Sequence, residues 1–193
     1  MLYRTLTSIL IVLISSCSSE GKKETVVTDA TEEIKVIKHA FEPLLDSLSF
    51  KKTPTDSLVV LLNDTLIHFI SPPFQFHQQL VNNKFNPGNL DSAYTTLAYQ
   101  LSEITSSRKF DTHQITKSGT YKIKPFSTLK DAYYPPEIGT IQFSRVAFNK
   151  PKDKACFYFK FFNAPDFGSS SLLFLEKVEL RWKIVAIRTL TVS

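Results

Sequence analysis

Glycine is scarce in this chain, with five residues among 193. Phosphate-binding loops and dinucleotide-binding turns need closely spaced glycines, because only glycine lets the backbone approach a phosphate so closely. No such motif is present, so the sequence indicates no nucleotide cofactor. Phenylalanine is abundant instead, with sixteen residues, and aromatic side chains pack well on a pleated surface. The composition therefore favours β-sheet.

A concentrated basic surface is also missing. The formal net charge is only +5, and the lysines and arginines are scattered along the chain. Proteins that bind nucleic acid gather such residues into a stripe or patch that follows the phosphates. We therefore expect no nucleic-acid partner.

The chain has no apolar run long enough to cross a membrane. Its longest run covers residues 6–14, about nine residues, whereas a spanning helix needs roughly 20. A run of this length after a basic residue, here Arg4, is typical of a secretory signal peptide. The sequence thus predicts export.

The end of this run resembles the lipobox of bacterial lipoproteins: Ile14, Ser15 and Ser16 stand immediately before Cys17. The resemblance implies a signal peptide over 1–16, cleavage before Cys17, and attachment of diacylglyceryl and palmitate-type chains to Cys17. It implies a lipid anchor in the bacterial cell envelope, facing the periplasm, with the outer membrane favoured over the inner. The alternative is an ordinary signal peptide in which Cys17 is incidental.

Cysteine is the other scarce residue, since only Cys156 remains once Cys17 carries lipid. No intramolecular disulfide can then form, even in an oxidising compartment. Cys156 lies within "ACFYFKFF". A lone cysteine in such a run is most often a small buried apolar residue, and no basic cluster nearby in sequence would activate the thiol.

Residues 17–28 are polar and short, which is typical of a tether, and a single domain is expected over 29–193. Asp29 and Glu32 form a capping-box pattern that starts a first helix, and Pro43 should kink or break that helix near 39–43. The run "LVVLLNDTLIHFI" reads as a hairpin around Asn63-Asp64. A second helix follows, with its apolar stripe from Leu90 to Ile104 and its cap at Asn89 or Asp91.

Four strand-like runs fill the last third of the chain, and short turns separate them. This spacing predicts an antiparallel β-meander. In the first run the apolar positions change parity between Phe143 and Val146, which a β-bulge near Ser144-Arg145 would explain. The fold class expected is α+β: N-terminal amphipathic helices packed on a mainly antiparallel sheet.

The segment from about 133 to 193 resembles the C-terminal part of a family of small uncharacterised bacterial exported proteins and lipoproteins. The matching pieces are "GTIQFSRVAFN", "KA", "LEK", "WKI" and the final serine. Family members carry a cysteine-glycine pair in the loop before the third strand and a glycine after the "LEK" segment. This chain has "NAPDFG" and Val178-Glu179 at those places. The resemblance implies fold and location, and it offers no reaction.

Chemistry-bearing residues form no recognisable catalytic or metal motif. The four histidines are His39, His68, His77 and His113, and only Asp111-Thr112-His113 approaches a local pair of ligands. Zinc sites usually show close pairs, so structural or solvated histidines are favoured. The carboxylates near turns could pair across a cleft, but any turn-rich domain offers such pairs. We therefore assign no catalytic residue, no cofactor and no metal.

An aromatic contact surface is the one binding feature that the sequence suggests. Tyr133 and Tyr134 precede two prolines, and Phe167 lies in a later loop. The competing interpretation is that these rings pack on the core, as aromatic side chains usually do. The function expected is that of a non-catalytic envelope lipoprotein that binds a partner protein or envelope component. A small enzyme or ligand carrier with a pocket, and an immunity-type or inhibitory protein, are the alternatives.

Overall fold

The computed structural model describes residues 29–47, 59–69, 90–115, 122–128, 138–164 and 167–192. The helices there are α1 (Ala30–Ser47) and α2 (Ser92–Ser102), with short 3-10 turns at Thr112–Gln114 and Phe126–Thr128. The strands are β1 (Val59–Leu62), β2 (Thr65–Leu66), β3 (Arg108–Lys109), β4 (Lys122–Pro125), β5 (Ile138–Phe148), β6 (Lys154–Ala164), β7 (Phe167–Val178) and β8 (Arg181–Val192).

One six-stranded sheet organises the fold, in the order β4-β1-β5-β6-β7-β8. Strands β5 to β8 form an antiparallel meander, as the spacing of the last third predicts. Strand β1 lies between β4 and β5 and is parallel to both. The expectation of a mixed fold with a mostly antiparallel sheet, built largely from C-terminal strands, is confirmed.

Both faces of this sheet are buried because α1 covers one face and α2 covers the other. Side chains alternate between the faces of a strand. In β6, Ala155 and Phe157 pack in the cluster with α1, whereas Cys156 packs with α2. The cluster under α1 is the larger and is rich in phenylalanine, which accounts for much of the unusual aromatic content. The thiol of Cys156 is fully buried, and burial raises its pKa, which confirms the expectation of an inert apolar cysteine.

The β-bulge expected in β5 is present. The pairing of β5 with β6 shifts between Phe143 and Val146, and both side chains remain in the cluster under α1. The bulge adds one residue, so that two residues, Ser144 and Arg145, lie opposite Tyr158. The Ser144 hydroxyl accepts the Tyr158 N–H at 2.8 Å, which satisfies a donor that the shifted ladder leaves over.

The hairpin expected around Asn63-Asp64 was wrong. Strand β1 pairs with β4 and β5, whereas β2 leaves the large sheet and pairs with β3. The Asn63 side chain accepts the Thr65 N–H at 3.0 Å and turns the chain outward, after which Ile67 returns to β5. A short apolar run such as "VVLL" fits a buried parallel strand as well as a hairpin arm, because periodicity does not reveal its partner.

Two details of the first helix also differ from expectation. Helix α1 does not break at Pro43 but continues to Ser47, and the buried Leu44 and Leu45 that follow the proline hold this last part on the core. Asp29 caps the helix, as expected, by accepting the Thr31 N–H at 3.1 Å. The reciprocal half of the capping box was wrong, because the Glu32 carboxylate binds side chains of the sheet instead.

Candidate functional site

The first turn of α1 carries a fully buried carboxylate, Glu33, which is 0% exposed. It accepts the Arg145 Nε–H at 2.9 Å and the Arg108 Nη1–H at 2.9 Å. Arg145 also donates to the Ser106 carbonyl at 3.1 Å. The β5 bulge supplies Arg145, so this network fastens α1 to the bulge and to the segment before β3. Each charge is paired inside the protein, which is the arrangement of a structural ion pair.

The neighbouring carboxylate, Glu32, reaches the other end of the sheet. Its Oε1 accepts the Trp182 indole N–H at 2.9 Å and the Lys177 ammonium at 2.7 Å, and its Oε2 accepts Lys35 at 3.2 Å. Burial raises the pKa of Glu32, but these three donors outweigh it and lower the pKa to about 2. Glu32 is therefore ionised at neutral pH and holds Trp182 in one position.

An open cleft of about 450 Å³ lies beside Trp182, between the second half of α1 and the start of β8. Its floor includes Phe41 and Trp182, which are 3% exposed and belong to the core under α1. The residues that line the cleft are Lys38, His39, Phe41, Glu42, Pro43, Arg181, Trp182 and Lys183. The helix thus supplies one wall, and the first three residues of β8 supply the other.

His39 joins the two walls. Its Nδ1 accepts the backbone N–H of Trp182 at 3.0 Å, so Nδ1 carries no proton in this arrangement. Burial lowers the pKa of His39, and the positive charges of Arg181 and Lys38 lower it further. The neutral imidazole is therefore favoured at neutral pH. Its remaining ring nitrogen, Nε2, then carries the proton and is a hydrogen-bond donor.

The lining of the cleft is positively charged. Lys38, Arg181 and Lys183 contribute three cations, and among the described lining residues Glu42 is the one carboxylate. An apolar floor beside cations suits a ligand with a negatively charged group next to an apolar part. The Nδ1 lone pair of His39, which could otherwise act as a base in this lining, accepts the Trp182 N–H.

The histidines expected to be structural or solvated have ordinary local roles where the structure describes them. Nδ1 of His68 lies 3.1 Å from the Ser107 hydroxyl, and the backbone N–H of His113 donates to the Asp111 carboxylate at 3.0 Å. Among the described residues no three His, Cys, Asp or Glu side chains are arranged to hold a metal ion.

Several residues of interest lie outside the described part of the chain. They are Cys17, His77, Tyr133 and Tyr134. Phe167 begins β7, but its side chain is not described. The proposed lipid attachment and the aromatic contact surface therefore stay predictions.

The cleft itself was missed by sequence reasoning. Its two walls are more than 130 residues apart in the chain, and no local pattern joins Lys38 to Arg181. The one available signal was His39, a polar residue on α1 outside the apolar stripe. Its partner is a backbone amide, which leaves no trace in the sequence.

Comparison with known proteins adds no relative. No protein-family model, curated protein sequence or solved structure matches this chain. Within the described residues, neither α1 nor α2 is long and apolar enough to cross a bilayer. The assignment of function therefore depends on the chemistry of the cleft.

Proposed function

We propose that this chain is a lipid-anchored, non-catalytic binding protein of the bacterial envelope, and that the cleft between α1 and β8 holds an anionic group of its ligand. The observation that carries the proposal is the lining of the cleft, which combines the cations Lys38, Arg181 and Lys183 with the aromatic residues Phe41 and Trp182. Hydrogen bonds from cations to a carboxylate or phosphate are about twice as strong as neutral ones, so an anion is the ligand that this lining favours.

Hydrogen bonds within the protein hold the walls of the cleft in place before a ligand binds. Glu32 and Lys177 fix the Trp182 ring, and His39 ties the Trp182 backbone to α1. A site whose walls are already held in place loses less entropy when it binds. The same hydrogen bonds occupy the Glu32 carboxylate and the Nδ1 lone pair of His39, which supports binding rather than reaction.

A small-ligand carrier is the second candidate, and the size of the cleft favours it. The volume of about 450 Å³ falls within the range of roughly 300–1,000 Å³ that drug-sized ligands occupy. Carriers usually enclose their cargo, however, and this cleft is open to solvent on one side. An open site suits a charged group that projects from a larger molecule, such as an envelope component or a partner protein.

The lipid anchor and the domain boundaries are part of the same proposal. Residues 1–16 would be removed as a signal peptide, Cys17 would carry the lipid, and 17–28 would tether a domain of 29–193. Its amphipathic helices and mainly antiparallel sheet would then face the periplasm, preferably from the outer membrane. Two or three acyl chains make such attachment durable, because a single chain binds membranes only marginally.

Trp182 makes the binding proposal testable, since it is the only tryptophan of the chain. We expect citrate and inorganic phosphate, added at constant ionic strength, to change its fluorescence in a saturable way. Reversing one cation with Lys38→Glu should weaken binding about tenfold, the loss expected for a charge-assisted contact. The matched control is Lys124→Glu, an equal charge change at an exposed residue of β4, the strand at the opposite edge of the sheet. An unsaturable response, or equal losses in both variants, would overturn the proposal.

A further inference from the structure

Strand β8 is the last strand of the sheet among the described residues, and its twelve residues leave one long edge beyond the meander. No described strand pairs with this edge. Backbone N–H and C=O groups along such an edge are a template for another strand.

The turn between β7 and β8 determines which backbone N–H groups at the start of β8 point away from β7. Val178 pairs with Arg181 across a two-residue turn, and that closing pair is hydrogen-bonded. In the alternation that follows, the N–H of Trp182 points away from β7, which agrees with its bond to His39 Nδ1. Helix α1 therefore caps the first outward donor of the edge. The next outward N–H by the same alternation belongs to Ile184.

The charged side chains of β8 all start from the same face of the strand. Arg181, Lys183 and Arg188 pair with Val178, Glu176 and Leu172 respectively, so all three side chains leave the strand on its α2 side. Because β8 is the last strand of the described sheet, Arg181 and Lys183 also line the cleft beside α1. A register shift between Phe174 and Leu175 inserts Val185 and keeps Arg188 on the same face as Lys183 although their parity differs.

The other face of β8 is apolar. Trp182, Ile184 and Ile187 fall on the α1 side, and Ile187 is 39% exposed. Val185, the inserted residue, is 41% exposed. Residues 181–192 contain no aspartate or glutamate. An incoming strand would thus meet cations on one face of the extended sheet and apolar side chains on the other.

We propose that the outer edge of β8, from Ile184 onward, binds an extended acidic segment of a partner protein by β-strand addition. Acidic residues at alternate positions would lie beside the cations, and apolar residues between them would cover Val185 and Ile187. A second copy of this chain fits poorly, because pairing β8 with itself places six cations on one face, and like charges on neighbouring strands are destabilising. This edge adjoins the anion-binding cleft, whose lining includes Arg181 and Lys183, yet the two can be tested apart.

The probe is a ten-residue peptide in which glutamate alternates with valine and threonine, and its lysine counterpart is the control. We expect the acidic peptide to bind full-length protein in detergent and to slow hydrogen exchange of the β8 amides while leaving the β4 amides unchanged. Arg188→Glu should weaken the acidic peptide about tenfold and leave phosphate binding in the cleft intact. Lys38→Glu should weaken phosphate binding more than it weakens the peptide.

Three results would overturn the inference. They are equal binding of the acidic and lysine peptides, binding without protection of β8 amides, and a stable dimer of the free protein that buries β8. An equal loss of peptide binding in Arg188→Glu and in the control Lys124→Glu would also refute it, since net charge alone would then explain the effect. If the wild-type protein binds the acidic peptide but not phosphate, the proposed anion site in the cleft is wrong and the proposed strand addition at β8 is still supported.

Discussion

Trp182 donates its indole N–H to Glu32 at 2.9 Å, and the two residues are 150 positions apart in the chain. Lys177 donates to the same carboxylate oxygen at 2.7 Å, and its ammonium lies 5.4 Å from the centre of the Trp182 ring. One ionised carboxylate therefore joins the start of α1 to both strands of the last hairpin. The wall of the proposed binding cleft depends on this contact.

Acid should weaken the protein through Glu32. Its pKa is lowered from 4.5 to about 2 in the folded state, so its contribution to stability is complete above pH 4.5 and is lost as pH falls toward 2. We expect Glu32→Gln to lower the free energy of unfolding by about 1.5–3 kcal/mol at neutral pH, the usual range for hydrogen bonds to a charged group.

Urea unfolding of wild type and Glu32→Gln across this pH range measures the effect. The difference between the two proteins should shrink as pH falls, because the wild-type carboxyl becomes protonated while the glutamine does not titrate. A difference that stays constant down to pH 2 would contradict the assigned role of Glu32.

Loss of the Glu33 carboxylate should destabilise the protein more than loss of the Glu32 carboxylate. Glu33→Ala leaves Arg145, whose side chain is 4% exposed, as a buried charge without its main partner. Breaking a buried pair in this way costs roughly 3–5 kcal/mol. Chemical denaturation of the variant would give the value directly.

A double variant separates the cost of the orphaned charge from the value of the pair. Glu33→Leu combined with Arg145→Met should recover most of the loss, since apolar replacement of both partners is often neutral. Arg108→Ala should cost much less, because its side chain is 34% exposed. A double variant as unstable as Glu33→Ala would mean that the pair itself contributes the stability.

The sequence was informative wherever structure depends on near neighbours. The parity change between Phe143 and Val146 predicted the β5 bulge, and the spacing of the last third predicted the meander. The apolar stripe with a cap at Asn89 or Asp91 predicted α2, and the structure has Asp91 as the cap. Each of these signals is local, since it reflects alternation along one strand or one helix face.

The predictions that were wrong concern contacts between residues far apart in the sequence. The partners of β1 lie on β4 and β5, roughly 60 and 80 residues later in sequence, so nothing near β1 could distinguish a parallel strand from a hairpin arm. Glu32 fitted a local capping box but binds Trp182 and Lys177 across the fold. The cleft is assembled in the same non-local way, which is why only the fold revealed it.

The turn at Val178–Arg181 contains one residue in a strained backbone conformation. Glu179 has a φ of 58°, a conformation that favours glycine, whereas Leu180 has no positive φ. We expect Glu179→Gly to stabilise the protein by about 1 kcal/mol, because it removes this strain. Thermal unfolding should show an increased midpoint temperature for Glu179→Gly and no increase for the control Leu180→Gly. Equal effects of both changes would reject the explanation.

Lipid attachment at Cys17 predicts where the protein is found. In a bacterial host that processes lipoproteins, Cys17→Ala should move the protein from the membrane fraction to the soluble envelope fraction. Mass spectrometry of the wild-type N-terminus should show a chain that begins at an acylated Cys17. An unmodified N-terminus, or unchanged membrane retention of the variant, would contradict the anchor.

The most direct test of the binding cleft is the indole N–H resonance of Trp182 in a two-dimensional NMR titration with citrate. The chain has one tryptophan, so one indole signal reports on the floor of the cleft. The account predicts that this signal shifts to a plateau in wild type and in Lys124→Glu, and that the midpoint rises about tenfold in Lys38→Glu. An indole signal that does not move while other resonances saturate would place the anion elsewhere and contradict the proposed function.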